Sequence, residues 1–563
     1  MGSLLRANHL WRPMAFESLV RWTIVLCLTF CVTHWGTATW AAPSALGGDE
    51  ASEARRQAVN LVKQGRKLVR NGEFEAAEAV YRQALALDAE LASARCGLAW
   101  LLIKTRHHAE AYDVVRPLLT PPSKHDEALA ISGVALLRSG YFRDGFDALK
   151  QALALKRNNA IAMAGIAELA CYENQLPMAA QLITAAINEN PEEPDYHLLA
   201  ARIASRLENF HFAADSLRNF LRLAPRTDAE RRERIEGVIR FYTYLGTSRI
   251  NVVQERADAL IPFELHGRRP HINVRINGKG PFNFVLDTGA SSCVLSNDAA
   301  AKLGIRPVAA GGQARAVGGS GTFPIVYGVL KSLELGPIKI ETVPVYLRDI
   351  QSLNSHGAKV DGFLGLSTLA DFVLTLDYPQ RTLGLRYAPH DAAHKSLPAA
   401  APVGDGATRL PFRLTESGLI SIETQLDDGH ILNFIFDSGA SASVVDQSVV
   451  ERHNWQSKIL PDQCVRIVGA AGASEKVPVL AIGTLRIYDL VRSDLRLPVI
   501  DMRRLNESSG FEQSGILGGD FLSHCRIEID FRQQQIAFTP SPNGIVRRQI
   551  EAQPTAGGTT PTH

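Results

Sequence analysis

The stretch Phe282-Asn283-Phe284-Val285-Leu286-Asp287-Thr288-Gly289-Ala290-Ser291 returns 150 residues later as Leu432-Asn433-Phe434-Ile435-Phe436-Asp437-Ser438-Gly439-Ala440-Ser441. Each copy is an apolar run that delivers an Asp, a hydroxyl residue and a Gly. Two further blocks repeat in the same order. Asp361-Gly362-Phe363-Leu364-Gly365-Leu366 matches Ser514-Gly515-Ile516-Leu517-Gly518-Gly519, and Leu374-Thr375-Leu376-Asp377-Tyr378 matches Ile527-Glu528-Ile529-Asp530-Phe531, both at an offset of 153. Three blocks in one order, with a three-residue drift, mark an internal duplication. From about Asn251 onward, apolar and polar residues alternate and Gly is frequent, so the duplicated unit reads as all-β with short strands.

A lone Asp-Ser-Gly is a weak signal, because turns are rich in these residues. Here each triplet follows an apolar strand and has an apolar-apolar-Gly partner downstream. That combination resembles the retropepsin-like aspartic peptidases, each half looking like one subunit, over residues 262–388 (lobe 1) and 409–540 (lobe 2). The resemblance implies a catalytic pair, Asp287 and Asp437, one from each half, brought together about a pseudo-twofold axis. Two close carboxyls repel when both are charged, so together they hold one proton and one negative charge. Such a pair supplies both the base that activates a water and the acid that protonates a leaving nitrogen. By resemblance, Thr288 and Ser438 brace the two loops across the interface. Gly289 and Gly439 let the backbone turn beside the carboxylates. The elements ending in Gly365 and Gly518 are expected as apolar strands beside each catalytic loop. Gly-rich stretches holding Gly318, Gly319, Gly469 and Gly472 fall where the family places flaps over the substrate. No Lys follows them and no helix starts there, which excludes a phosphate loop. The family's Arg after the apolar-apolar-Gly element is missing, since the chain continues Leu366-Ser367-Thr368 and Gly519-Asp520-Phe521. Bracing through that Arg is therefore in question. Asp377 and Asp530 read as strand-end turn residues.

The first half has a different period. Phe74, His108, Phe142, Leu176 and Phe210 stand 34 residues apart, followed at the same interval by Ala77, Ala111, Gly145, Ala179 and Ala213. Gly72 and Gly140 lie two periods apart, and Pro191 and Pro225 one. Small residues at fixed positions let paired helices pack closely. The pattern resembles the tetratricopeptide repeat, a helix-turn-helix unit of about 34 residues. It implies about five units between residues 55 and 225, then a capping helix, making a 53–248 array. The second unit is irregular, with His107 and His108 at its turn and Pro121-Pro122 at its end. Adjacent His on a helix point apart, which argues against a metal site there. The concave face of such an array binds peptides or partner proteins.

Residues 1–41 are laid out as a secretory signal peptide. Arg6, Arg12 and Arg21 precede an apolar run from Trp22 to Val32, and Thr39 and Ala41 fit a small-x-small cleavage site. An uncleaved signal anchor is the alternative, and it would be the chain's only route to a membrane. The expected location is the periplasm or the exterior. Five Cys remain after cleavage and read as buried small apolar side chains. Residues 389–408 read as a linker between the lobes, and 541–563 as a flexible tail.

With 563 residues, one compact core is excluded. With 60 basic and 58 acidic residues, the charge gives no support to nucleic-acid binding. The expected protein is multidomain: an all-α tetratricopeptide superhelix followed by duplicated all-β acid-protease lobes. It needs no metal and no cofactor. The function that follows is an aspartic endopeptidase acting on a protein or extended peptide, with repeats that recruit substrate or partner. The alternative is a catalytically silent peptide-binding or envelope assembly module. A third arrangement would pair each lobe with its copy in another chain.

Overall fold

The computed structural model describes residues 48–254, 256–315, 321–354, 358–388, 407–426, 429–469, 472–488, 490–541 and 546–547. The signal segment 1–41, Gly318, Gly319, and most of the linker and tail lie outside the described residues. Among the described residues, no helix is long and apolar enough to cross a membrane.

The first half is eleven α-helices: α1 (Gly48–Asn71), α2 (Phe74–Leu87), α3 (Ala92–Lys104), α4 (His108–Val115), α5 (Asp126–Arg138), α6 (Phe142–Leu155), α7 (Ala160–Tyr172), α8 (Leu176–Glu189), α9 (Pro194–Arg206), α10 (Phe210–Leu223) and α11 (Ala229–Leu245). The even-numbered helices α2 to α10 begin at the five residues of the 34-residue period. The small residues three positions later, Ala77, Ala111, Gly145, Ala179 and Ala213, are all buried, where neighbouring helices approach. Asn159, Asn209 and Asp228 cap α7, α10 and α11 by accepting a main-chain N–H, which satisfies donors the helix itself leaves free. The turn before each even helix contains one residue with positive φ: Gly72, Arg106, Gly140, Asn174 and Glu208. The sequence shows this position only where it is Gly. At the other three, the array imposes a left-handed conformation on side-chain-bearing residues. The irregular second unit has a short α4, finished by a 3-10 turn over Arg116–Leu119 that contains Pro117.

The second half is two β lobes joined by a shared sheet. In lobe 1 the strand Gly362–Leu364 lies parallel to Lys279–Leu286 and antiparallel to Cys293–Ser296. In lobe 2 Gly515–Leu517 takes the same place between Ile431–Phe436 and Val444–Asp446. The short apolar-apolar-Gly elements are therefore central strands, buried in the lobe interiors, and β-branched and aromatic residues dominate around them. A six-stranded sheet carries three strands from each lobe. At its middle, Phe372–Asp377 pairs antiparallel with Cys525–Asp530, placing Leu374 opposite Ile529 and Leu376 opposite Ile527. The lobes thus pair with each other inside one chain. One continuous apolar core runs through both.

Three strands reach past the expected lobe bounds, two ahead of lobe 1 and one behind lobe 2. Val252–Val253 and Ala259–Pro262 belong to the lobe 1 sheets, although they lie before or at residue 262. Val546–Arg547 pairs with Leu490–Ile500, inside the expected tail. Backbone pairing needs no motif, so the repeated blocks could not mark these edges. Of the five Cys, four are buried and Cys464 is exposed, which corrects the expectation for that one. Among the described residues all five are unpaired.

The repeats hold both lobes. α11, expected as a cap facing solvent, instead lies on lobe 1. Gly237 packs against Gly311 so closely that a Cβ there would come within 2.6 Å of the Gly311 Cα. Arg240 donates to the Ala310 carbonyl at 2.7 Å, and Phe241 stacks on Tyr327 at 4.5 Å. Lobe 2 packs on the array near the turns that precede α4, α6 and α8. Phe511 packs edge-on between Phe142 and Tyr172, at 4.8 and 4.9 Å between ring centres, and belongs to the apolar core of the repeats. Arg413 covers the other side of Phe142, and Glu512 N–H donates to the Arg138 carbonyl at 2.9 Å.

Replacing Phe511 by Ala empties a pocket lined mainly by rings. The expected cost is about 3–5 kcal/mol, read as a lowered midpoint in chemical denaturation. Phe511→Leu keeps most of the volume and should lose clearly less.

Candidate active site

Both Asp-hydroxyl-Gly triplets leave a buried strand at the same point. The Asp287 N–H donates to the Leu364 carbonyl and the Asp437 N–H to the Leu517 carbonyl, each at 3.0 Å. The duplicated sequence thus builds the same turn twice, with the central apolar strand as its anchor.

The two turns then clasp each other. Thr288 Oγ1 donates to the Phe436 carbonyl at 3.0 Å, and Ser438 Oγ donates to the Leu286 carbonyl at 2.7 Å. In return, Ser438 N–H donates to Thr288 Oγ1 at 2.8 Å and Thr288 N–H to Ser438 Oγ at 3.2 Å. Both hydroxyls are buried, so each bond replaces water that has been excluded, and losing one leaves its partner unsatisfied. Each turn is thus tied to the other lobe through both its hydroxyl and its N–H.

Asp287 and Asp437 meet in hydrogen-bond contact beside this clasp, half-buried. A Cβ on Gly439 would lie 2.5 Å from Asp287 Oδ1, and one on Gly289 would run into the Asp437 carboxyl. Each Gly is thus needed for the approach of one lobe's turn to the other lobe's carboxylate, and neither has positive φ. Gly365 and Gly518 make similar room against the Ser292 and Ala442 main chain.

Burial pushes both carboxyls above their ordinary range, and for Asp287 the neighbouring Asp437 adds to the rise. Main-chain donors divide unevenly between them. Asp437 accepts from Gly439 and Ala440 at 2.8 and 3.1 Å, Asp287 from Gly289 at 2.9 Å. The extra donor offsets more of the rise on Asp437 than on Asp287.

Two features escape a motif reading. The buried Arg269 lies within electrostatic reach of both carboxyls. At the matching offset of 150, lobe 2 has Leu419, so the duplication itself exposes this asymmetry. The second feature lies beside the central apolar strand of lobe 2. Ser443 Oγ accepts from Gly518 N–H at 3.0 Å and donates to Asp520 at 2.6 Å. In lobe 1 Cys293 stands at Ser443's place, with its Sγ 3.4 Å from Gly365 N and 3.2 Å from Thr368 Oγ1. Asp377 and Asp530 accept main-chain N–H groups in their turns, as expected of strand ends. Gly469 and Gly472 end and begin the two strands of a lobe 2 hairpin, Ile459–Gly469 and Gly472–Ile487. Among the described residues, no cluster of His, Cys, Asp and Glu could hold a metal ion.

A family model described as aspartyl protease matches the chain twice, over residues 272–368 and 422–521. No curated protein matches it. Among solved structures, the chain is similar to a thermophilic TPR protein of Thermus thermophilus, at 18% identity over 32% of this chain and 98% of that one, with a TM-score of 0.28. It is also similar to an aspartic proteinase from Irpex lacteus, at 13% identity over 51% of this chain and 98% of that one, with a TM-score of 0.33.

A carboxyl whose pKa is raised by folding adds stability that is complete below its unfolded value and is lost as pH rises through the folded value. Asp287→Asn removes this loss. Its stability relative to wild type should therefore grow between about pH 4 and pH 7, measured by denaturant midpoints at each pH. A gap that stays constant would show that the pair is not held above the carboxylate range.

Proposed function

We propose that this chain, with an aspartyl protease match in each lobe, is an exported aspartic endopeptidase built as a single-chain counterpart of the two-subunit retropepsins. One observation carries the reading: two carboxyls from equivalent turns meet in a half-buried pair, held by four reciprocal hydrogen bonds. The charged member takes a proton from a water as that water's oxygen attacks the peptide carbonyl carbon. The protonated member gives its proton to the carbonyl oxygen, which becomes a hydroxyl, so the tetrahedral carbon carries two hydroxyls and the pair again holds one proton. In the second step the C–N bond breaks as the amine takes that proton, and one hydroxyl returns its proton to the pair as the new carboxyl's C=O forms, which restores the one-proton state.

Because Arg269 has no counterpart in lobe 2, the two ends of the cleft differ in charge, which suits a directional peptide. The lobe 2 hairpin, ending at Gly469 and Gly472, is the flap candidate within the described residues. For the repeats we infer a recruiting role on surface left free by lobe 2. Met178 and Phe212 stand one period apart on α8 and α10, and both are exposed. Large apolar side chains in register on neighbouring helices suit a protein partner.

Digestion of a peptide library by the wild type, with Asp287→Asn and Asp437→Asn beside it, tests the chemistry. Each substitution should lower kcat/KM by about 10²- to 10⁴-fold or more while the protein stays folded. Cleavage equal to wild type would sink the mechanism. Arg269→Leu tests the electrostatics separately. Its positive charge favours ionised carboxyls, so its loss should shift the alkaline limb of the pH profile to higher pH. An unmoved limb would remove Arg269 from the site.

A further inference from the structure

A cavity of about 110 Å³, open in part to solvent, lies where lobe 2 meets the repeats. Helices α3, α5, α7, α9 and α11 supply most of its wall, and Glu416 and Gly510 of lobe 2 complete it. Five basic and three acidic side chains face it. Most of these charges are already matched. Lys104 pairs with Glu193 and Asp195, Arg138 makes two 3.1 Å bonds to Glu168, and Arg202 pairs with Glu416.

Arg106 and Arg231 are left over. Arg106 donates to the main-chain carbonyls of Asn506 and Glu507 at 3.1 and 2.6 Å, and Arg231 lies over the Phe220 ring. Among the described residues, neither closes an ion pair. The same wall holds two buried polar atoms with no hydrogen-bond partner, Tyr196 Oη and His108 Nδ1. Their residues are only 3% and 6% exposed. Burial, with Arg138 and Arg106 nearby, pushes the His108 pKa down to about 3, so the ring is neutral and adds no charge.

We propose that this cavity is a binding site for a small oxyanion, of phosphate or carboxylate chemistry, held by Arg106, Arg231 and the Tyr196 hydroxyl. A buried hydroxyl without an acceptor is costly, whereas Arg106 and Arg231 are exposed and solvated. With no carboxylate of the described residues in direct contact, both guanidinium groups are free to donate to a ligand. An acceptor-only anion would take the Tyr196 hydroxyl and charge-assisted bonds from both Arg, with His108 able to donate from Nδ1 in one tautomer. Arg106 also grips the lobe 2 main chain and Arg202 grips Glu416, so the bound anion would strengthen the seam between repeats and lobe 2. The site is independent of the peptidase reading.

The test is isothermal titration calorimetry on the full chain, with orthophosphate in one arm and succinate in the other. Saturable binding near one equivalent per chain is expected in at least one arm, and the arm that binds identifies the chemistry. Tyr196→Phe and Arg231→Gln should each weaken it by about tenfold or more. In anion-free buffer, Tyr196→Phe should be at least as stable as wild type, because the hydroxyl it removes has no partner. No saturable binding in either arm would mean that the cavity holds only water. Equal affinity in wild type and both variants would place the anion elsewhere. Either result overturns the proposal.

Discussion

Two carboxyls that repel one another are brought into contact in a half-buried place, and something must keep them there. Burial and mutual charge both work against the charged forms, so the site would spread apart if it rested on loops alone. The restraint comes from the Thr288–Ser438 clasp. Each hydroxyl both accepts from the other lobe's N–H and donates to the other lobe's carbonyl, with little solvent to compete. The clasp in turn depends on the two turns starting at the same depth, which the parallel strands Gly362–Leu364 and Gly515–Leu517 ensure. Behind it, the six-stranded sheet joins the lobes along a full edge and makes their cores continuous. Removing the side chains of residues 289 and 439 is what lets the geometry close at all.

The duplication is symmetric where the chemistry requires it and unequal elsewhere. Cys293 and Ser443 occupy matching places, yet only Ser443 has a carboxylate partner. Arg269 faces Leu419 across the same comparison. In a dimer of identical subunits such differences are impossible. A single chain can vary one side of the cleft while leaving the paired carboxyls alone, and the repeats widen the inequality by touching the lobes in different ways. α11 lies along lobe 1, while lobe 2 sends Phe511 between Phe142 and Tyr172.

Much of this was legible before any coordinates. The 34-residue period marks the start of every even helix from α2 to α10, because close helix packing demands small residues at one place per unit. The paired triplets locate the carboxyls and the clasp, because both need specific residue types. Other features left no such trace. Arg106, Asn174 and Glu208 adopt the same left-handed turn as Gly72 and Gly140, but their side chains disguise it. Strands such as Val252–Val253 are made by backbone pairing, to which sequence is nearly blind. Nor does any pattern announce that lobe 2 docks on the repeats. Phe511 reads as one more apolar residue in a β lobe, and only its contacts with Phe142 and Tyr172 reveal its partner.

That occupancy changes what the repeats are for. The part of the array that buries Phe511 between two rings, with Arg106 fastened to the neighbouring main chain, is not free to receive a peptide there unless lobe 2 lets go. Since α11 holds lobe 1 as well, the array touches both halves of the site and adds a second bridge to the six-stranded sheet. Bridges in parallel raise the effective concentration of one lobe near the other. Mutual repulsion of the carboxyls is then opposed by the whole molecule, and the clasp has only to set the final alignment. The array is therefore part of what holds the paired carboxyls in place.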